Sequence, residues 1–492
     1  MVVPARPTDW RQGAAVAETH ISIVFFVGDR AYKLLKPVHT DFLDHSTPER
    51  RQAAARREVE LNSRVAPDVY LGVAQIDLGD GEAEPAIVMR RMPADRRLED
   101  VIDRGDEPDC LRAVARAVAS LHASAPPLDA RSAAAALDAV PALWRGTIEE
   151  CLRLADLGPI DPERLVELGR LGTRYLAGRT DLLEARLAAG HLRDGHGDLQ
   201  AADIFCLDDG PRILDCLAFD DALRHGDVLA DIAFLAMDLE RLGHAAAAET
   251  LMRRYREFSF EHHPRSLEHH YVAYRALVRT KVALLRAEQG DAEAGPLARA
   301  YLHVAEARLR RGRVRLVLVG GAPGVGKSTL AQSLSDATGA SLLRSDELRK
   351  DLAGMGHAQR ADADFGEGLY RPEMTDRVYG KLIERAGELL GLGRSVILDA
   401  SWSSEAARAD ARLAAARTES EVIEIRADCP PEVAAARIRA RRAGGRDASD
   451  ADVTVAAELR ERFEPWPTAR GVDTSQSPED ATRQAVAVVG PF

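Results

Sequence analysis

Lysine is nearly missing from this chain. Of 66 basic residues in 492, six are lysine: Lys33, Lys36, Lys281, Lys327, Lys350 and Lys381. The rest are arginine. In a chain this averse to lysine, a retained one marks a place where arginine's broad planar fork does not fit. Cysteine is also scarce. Cys110, Cys151, Cys206, Cys216 and Cys429 are scattered, odd in number, and form no C-x-x-C. Ordinary buried thiols in a reduced, intracellular compartment are expected. Positive charge is in deficit, with a net charge of -12. This argues against stable binding to nucleic acid or to an anionic membrane. No uninterrupted apolar run is long enough to span a bilayer. The opening "MVVPARPTDW" lacks a basic-then-apolar signal pattern. A cytoplasmic protein without a membrane partner is expected. Internal repeats and low-complexity linkers are absent too.

What is present suits two to four domains, and 46% apolar residues allow a sizeable core. Residues 20–36, "HISIVFFVGDRAYKLLK", alternate apolar positions about a Gly28-Asp29 turn and predict a hairpin. Thr47 before Pro48 predicts a helix start, running to about Val65. "YLGVAQIDLGDGEAEPAIVMRRM" predicts two more strands. A small β-rich lobe over about 1–100 follows from these elements. From about 101 to 310 the pattern is mainly helical, interrupted by strand-like pieces at 203–221. At 315 it changes again. "RLVLVGG", "SVILDAS" and "EVIEIRA" are β-branched runs between helical stretches, the pattern of a parallel α/β sheet. The expected domains are 1–310 and 311–492.

Residues 321–328, "GAPGVGKS", match G-x-x-x-x-G-K-[ST] between an apolar strand and a helical run. The backbone N–H groups of Gly321, Ala322, Pro323 (which has no N–H to give), Gly324, Val325 and Gly326, with those of the helix start through Thr329, form a phosphate cradle. Lys327 would reach the β- and γ-phosphates of ATP, and Ser328 would ligate Mg²⁺. Asp399, ending "SVILD", would hold the magnesium shell. The bland reading of Asp399 is a helix cap after a core strand. Asp346, in "RSDELRK", falls at a strand end, where it would orient or deprotonate an acceptor hydroxyl. Its bland reading is the start of a surface helix. Arg344, Arg349 and Lys350 beside it would hold an anionic substrate. Arg437 and Arg441 lie at i, i+4 on one helix face, with Arg442 and Arg446 just beyond. They would close over the phosphates, or else form a solvated face.

From about 314 onward the chain resembles the small P-loop kinases related to zeta toxins, gluconate kinase and the kinase domain of polynucleotide kinases. The runs "GGAPGVGKST", "SDELRK", "GLYRPEMTDRVYGKL", "VILDASW" and "ASDAD" carry the resemblance. It implies the role of base for Asp346.

The N-terminal half carries a second constellation. In "HGDLQAADIF", Asp198 would accept a proton from an attacking hydroxyl. Asp203, five residues on, would be a second metal ligand. Asp215 follows the next apolar run, where a carboxylate would hold Mg²⁺. Upstream, Lys33 follows the hairpin and Glu58 lies in the next helix, spaced to pair. Lys36 is the rival lysine. "IVMRRM" (87–92) puts Met89 in a hinge beside the adenine. Each residue alone has a bland reading as surface or core; in this order they lay out a kinase site.

Residues 1 to about 300 resemble the aminoglycoside phosphotransferase and choline kinase family, especially its branch fused to a P-loop domain. "ETHISIVFFVGDRAYKLLKPV", "NSRVAPDVYLGV", "MRRMPADRRL", "DVLADIAFLAMDLE" and "YRALVRTKV" support this. The resemblance implies a bilobal α+β kinase-like domain, with Asp198 as base, Asp215 as metal ligand and His196 as a positioning residue. There are departures. Asp203 stands where the pattern has Asn, Gln200 where it has His, and Ala218 where it has an acidic residue. Asp203 adds a charge beside Asp198 and Asp215, and like charges raise one another's pKa.

Two functions follow. One is a bifunctional ATP- and Mg²⁺-dependent kinase, each domain phosphorylating a hydroxyl of a small molecule. The other is a regulator with an N-terminal pseudokinase and an ATP-driven P-loop switch. Smaller signals read as structure. "EHHPRSLEHHY" predicts a surface helix rather than a metal site, "DLGDGE" a strand-joining turn, and Trp402 and Trp466 packing, with Trp402 a candidate for the substrate pocket.

Overall fold

A computed structural model describes residues 15–19, 21–40, 43–77, 83–105, 107–158, 160–355, 371–444 and 460–490, with backbone alone at 107–108 and 441–444. The "DLGDGE" turn beyond Asp77, the "ASDAD" run, Arg446 and the side chains of Arg441 and Arg442 lie outside the described residues. The chain divides into two compact units. The first is Met1–Leu165, Ala185–His262 and Tyr271–Ala305; the second is Val166–Glu184, His263–His270 and Glu306–Phe492.

The first unit opens with β1 (Ala15–Glu18), β2 (Ser22–Val27) and β3 (Arg30–Leu35). A small pair, β4 (His39–Thr40) and β5 (Leu43–Asp44), leads to α1 (Pro48–Asn62), then β6 (Tyr70–Asp77) and β7 (Ala83–Arg90). The strands form one antiparallel sheet in the order β1-β2-β3-β7-β6. The β2–β3 turn uses Gly28 at φ +58°, a left-handed conformation that glycine adopts without strain. Thr47 caps α1 by accepting the Arg50 N–H, with Pro48 in the first turn. One face of α1 packs on β6 and β7, and the helix buries Ala55 and Leu61 together with three polar residues, Arg51, Glu58 and Asn62.

The next elements are α2 (Leu98–Asp103), α3 (Glu107–Ser124), α4 (Ala130–Arg153), α5 (Pro162–Ala177), α6 (Thr180–Ala188), β8 (Leu192–Asp194), β9 (Ile204–Leu207), β10 (Gly210–Ile213) and β11 (His225–Asp227), of which Val166–Glu184 belongs to the second unit and the rest to the helical lobe of the first. The chain continues with α7 (Val228–Arg241), α8 (Ala245–Ser259), α9 (Arg265–Glu288) and α10 (Ala294–Arg311). Helix α7 is buried from Val228 to Leu239 except Ala230, so it runs through the core of the lobe. Two expectations fail here. His269 and His270 are not on a surface helix but are 2% and 1% exposed, because the first turns of α9 are packed on all sides. Cys110 and Cys206 are not thiols; they form a disulfide with Cα atoms 6.0 Å apart, inside the range a disulfide spans. A separation of 96 residues hid the pair.

The second unit contains β12 (Arg315–Gly320), α11 (Lys327–Thr338), β13 (Ser341–Arg344), α12 (Ser345–Leu352), α13 (Pro372–Gly391), β14 (Val396–Asp399), α14 (Glu405–Arg417), β15 (Glu421–Asp428), α15 (Pro431–Gly444), β16 (Arg470–Asp473) and α16 (Pro478–Val489). Its five strands are all parallel, in the order β13-β14-β12-β15-β16. Both central strands, β12 and β14, are buried along their whole length, as a sheet covered by helices requires. The register sets Asp399 beside Val319 and Arg344. The carboxyl ends of β12, β13 and β14 therefore meet at the loop that starts at Gly321. A five-stranded antiparallel sheet with helices in the first unit and a five-stranded parallel α/β sheet in the second are the architecture observed.

Candidate functional site

In the first unit, β3 places Lys33 opposite Val24 and Ile87, on the same face as Ala31 and Met89. Met89 is buried in the small-lobe core with Ala31, Ala55 and Ile87. Lys33 Nζ lies 2.8 Å from Glu58 Oε1 and 2.8 Å from Asp215 Oδ1. Lys36, the rival, pairs instead with Glu18 at 2.6 Å. Burial alone would lower the Lys33 pKa, but Asp215 and Glu58 outweigh it and hold the ammonium charged. Lys33 in turn holds the Asp215 carboxyl below its ordinary value. Asp215 sits at φ +62°, a left-handed conformation that Asp tolerates better than most residues. Its neighbours secure that bend. The Asp215 N–H donates to the Tyr70 hydroxyl at 3.1 Å, and the Cys216 N–H to Asn62 Oδ1 at 2.8 Å. Asn62, one turn on from Glu58, thus ties the helix that holds one carboxylate to the loop that holds the other.

The loop around Asp198 is held by α7. Asp231 accepts from the backbone N–H of His196 at 2.7 Å and of Gly197 at 2.8 Å, and from His122 Nε2 at 3.0 Å. Burial pushes the Asp231 carboxyl up; the His122 and backbone bonds overcome this and keep it ionised. Seven residues on, Asp238 accepts the Ala201 N–H at 3.0 Å. Two carboxylates on one face of α7 therefore grip the loop on both sides of Asp198. A Cβ at position 195 would stand 2.6 Å from Asp231 Oδ2, so Gly195 is required for this grip. His196 is fully buried and bonds the Leu214 carbonyl at 3.1 Å, joining the loop to the β10 end.

The carboxylates of Asp198, Asp203 and Asp215 are near enough for their charges to act on one another. Burial, with the charge of Asp215 added, pushes Asp198 up to about 6 against the pull of Arg279, 3.9 Å away. Burial pushes Asp203 up to about 8, helped by the charges of Asp215 and Asp198. Gln200 donates to Asp198 at 2.9 Å. Carboxylate oxygens are the donors that a hard cation such as Mg²⁺ takes, and Asp203 and Asp215 are the pair that would hold it; among the described residues no group of three or more His, Cys, Asp or Glu is arranged as a metal cluster.

In the second unit the phosphate loop is built from backbone. Gly321, Gly324 and Gly326 have φ of +137°, +82° and +94°. A Cβ at 321 would stand 2.6 Å from the Ala427 carbonyl, and one at 324 would stand 2.7 Å from the Ala434 carbonyl. The glycines are needed for close approach as well as for conformation. Lys327 Nζ donates to the Ala322 carbonyl at 3.2 Å. Ser328 bonds the Asp399 carboxylate, whose pKa burial raises against Lys327 and that bond. A serine hydroxyl and a strand-end carboxylate in contact fit a Mg²⁺ site.

Arg437 is committed to the loop itself. It donates to the Val325 carbonyl at 3.4 Å and the Thr474 carbonyl at 2.7 Å. Arg344 pairs with Glu347 at 3.3 Å and approaches Asp399 to 3.9 Å. Asp346 is half-buried in the first turn of α12, while Arg349 and Lys350 are buried. Trp402 is fully buried and donates to the Leu398 carbonyl, so it is packing and not pocket lining.

Tyr70, Asn62, His122, Asp231, Asp238 and Thr474 carry the sites and escaped the sequence reading. One signal was available. Asp231 and Asp238 are the two acidic breaks, at i and i+7, in the otherwise apolar "VLADIAFLAMDL".

Comparison with known proteins completes the picture. A family described as "AAA domain" matches residues 316–466. Uncharacterized protein Rv2004c of Mycobacterium tuberculosis (strain ATCC 25618 / H37Rv) is 39% identical over 472 residues, 96% of this chain and 94% of that protein. Uncharacterized protein Mb2027c of Mycobacterium bovis matches at the same level. Among solved structures, a gluconokinase from Sinorhizobium meliloti 1021 is similar to 36% of this chain and 91% of its own, at 18% identity and TM-score 0.27. A choline/ethanolamine kinase family protein from Mesorhizobium loti is similar to 63% of this chain and 90% of its own, at 17% identity and TM-score 0.38. No helix among the described residues is long and apolar enough to cross a membrane.

Proposed function

We propose that this chain, which belongs to the family of the mycobacterial proteins Rv2004c and Mb2027c, is a bifunctional ATP-dependent kinase, each unit transferring the γ-phosphoryl group to a hydroxyl of a small molecule. The observation that carries the reading is Lys33, 2.8 Å from both Glu58 and Asp215, with Asp198 presented by a loop gripped from α7.

In the first unit, Glu58 fixes Lys33, and Lys33 is aimed at the nucleotide phosphates. Asp203 and Asp215 hold Mg²⁺, which supplies charge neutralisation when bound. Asp198 takes the acceptor's hydroxyl proton as that oxygen forms its bond to the γ-phosphorus. The bond from γ-phosphorus to the β-phosphate oxygen breaks, and ADP leaves with the electron pair. In the second unit, the Gly321–Gly326 backbone and Lys327 bind the phosphates, with Arg437 and Arg441 on the helix beside the loop. Ser328 and Asp399 hold the metal, and Asp346 takes the acceptor proton.

The test is transfer from labelled ATP over a panel of sugars, aminoglycosides and nucleosides. Asp198→Asn is expected to silence one set of acceptors and Lys327→Ala another. If Asp198→Asn leaves all transfer intact while Lys327→Ala abolishes it, the first unit is no kinase for that panel. One observation favours a regulatory second reading. Asp203, pushed up to about 8, resists ionisation beside two other carboxylates. In that case the first unit binds ATP and shifts in melting temperature without transferring phosphate.

A further inference from the structure

The second unit contains a cavity of about 230 Å³ built where α5 ends and where β12 and β15 begin. Its lining includes Arg170, Arg174, Arg179 and Arg313, against Glu419 and Glu421. Most of these charges are matched. Arg170 pairs with Glu167 at 2.7 Å, Arg174 with Glu419 at 3.1 Å, and Arg313 with Glu421 at 3.6 Å. Arg179 is the exception. It is 1% exposed, and among the described residues no carboxylate pairs with it. Its guanidinium donates to the Gly178 and Thr418 carbonyls and weakly to Ser420 Oγ, while Nε is buried with no partner. Its plane lies over the Tyr175 ring, with 5.2 Å to the centroid.

Burying an unpaired cation costs several kcal/mol, more than most single interactions in a domain contribute. Burial pulls the Arg179 pKa down to about 10 as a result. The position is nonetheless tightly built. A Cβ at 178 would stand 2.1 Å from the Thr418 carbonyl, so Gly178 is required to seat Arg179 against the turn before β15. A buried cation with an unpartnered N–H, three further arginines and an open volume are the chemistry that holds a small anion. Guanidinium forks match phosphate oxygens in geometry as well as charge. Ligand pockets commonly run to roughly 300–1,000 Å³, so this one takes a small molecule.

We propose that the cavity around Arg179 binds a small phosphate-bearing ligand, with inorganic phosphate as its minimal form. The site is separate from both nucleotide sites and shares no residue with them. The experiment is equilibrium dialysis of labelled orthophosphate against the full chain carrying Lys33→Ala and Lys327→Ala, which weakens phosphate capture at the nucleotide sites. One phosphate per chain is expected. Adding Arg179→Met should abolish it, and adding Arg313→Gln should weaken it tenfold or more. If Arg179→Met fails to fold, Arg313→Gln and Arg174→Gln decide. Displacement of the label by equimolar glycerol 3-phosphate identifies an organic phosphate as the ligand; no displacement identifies free phosphate. Absence of binding in the Lys33→Ala/Lys327→Ala chain, or binding unmoved by the arginine substitutions, overturns the proposal.

Discussion

The two candidate sites solve one problem with opposite materials. The proposed P-loop site is eight consecutive residues whose backbone would wrap the phosphates, with one lysine and one strand-end carboxylate. The N-terminal site uses side chains from positions 33, 58, 198, 203 and 215, brought together by the fold. The first pattern depends on glycine conformation; the second depends on charge balance. A backbone cradle fails by sterics and a side-chain site fails by electrostatics, so the two should respond differently to substitution and to pH.

The largest expected effects are on transfer itself. Asp198→Asn should slow phosphate transfer by the first unit by about 10²–10⁴-fold, with ATP affinity little changed. Gly324→Ala should eliminate ATP binding by the second unit, because its Cβ has no room beside the Ala434 carbonyl. Equilibrium binding of a labelled ATP analogue checks this. A tolerated Gly324→Ala would end the contrast between steric and electrostatic sites.

Stability effects come next. Cys206→Ser should cost the first unit about 2–5 kcal/mol, read as a lower urea midpoint, and reductant alone should reproduce it. Asp231→Asn should cost about 1–3 kcal/mol, because an amide replaces one acceptor for the His196 and Gly197 N–H groups with a donor. It should also lower kcat for the first unit, since the loop bearing Asp198 is no longer held.

The last expected effect is a change of stability with pH. Asp203 is raised in the folded state, so the metal-free protein is favoured at low pH and loses stability as pH rises from about 4 towards 8. Magnesium binding should strengthen over the same rise, because the ligand is the carboxylate. Asp203→Asn should flatten both profiles. Burial also raises Asp399 in the second unit, so the comparison that isolates Asp203 is Asp203→Asn against the unsubstituted chain, read as the pH dependence of the thermal melt.

Legibility in the sequence follows the same contrast. The P-loop was readable because its ligands are contiguous and flanked by a strand and a helix. Lys33, Glu58 and Asp215 were readable by order, and the fold sets them within hydrogen-bond distance. What supports them was not readable. Asp231 reaches the loop from 35 residues away and His122 reaches Asp231 from 109. No local pattern records such contacts. The Cys110–Cys206 bond and the burial of His269 and His270 were misread for the same reason: both depend on which helices enclose the core. Arg437 looked free to meet phosphates, yet its donors serve the Val325 and Thr474 carbonyls.

The central claim is that one chain holds two separate Mg-ATP sites. Calorimetric titration of the full chain with a non-hydrolysable ATP analogue and Mg²⁺ measures this directly. Two nucleotides per chain are expected, falling to one in Lys33→Ala and to one in Lys327→Ala. A single nucleotide per chain, lost in Lys327→Ala and untouched in Lys33→Ala, would contradict it.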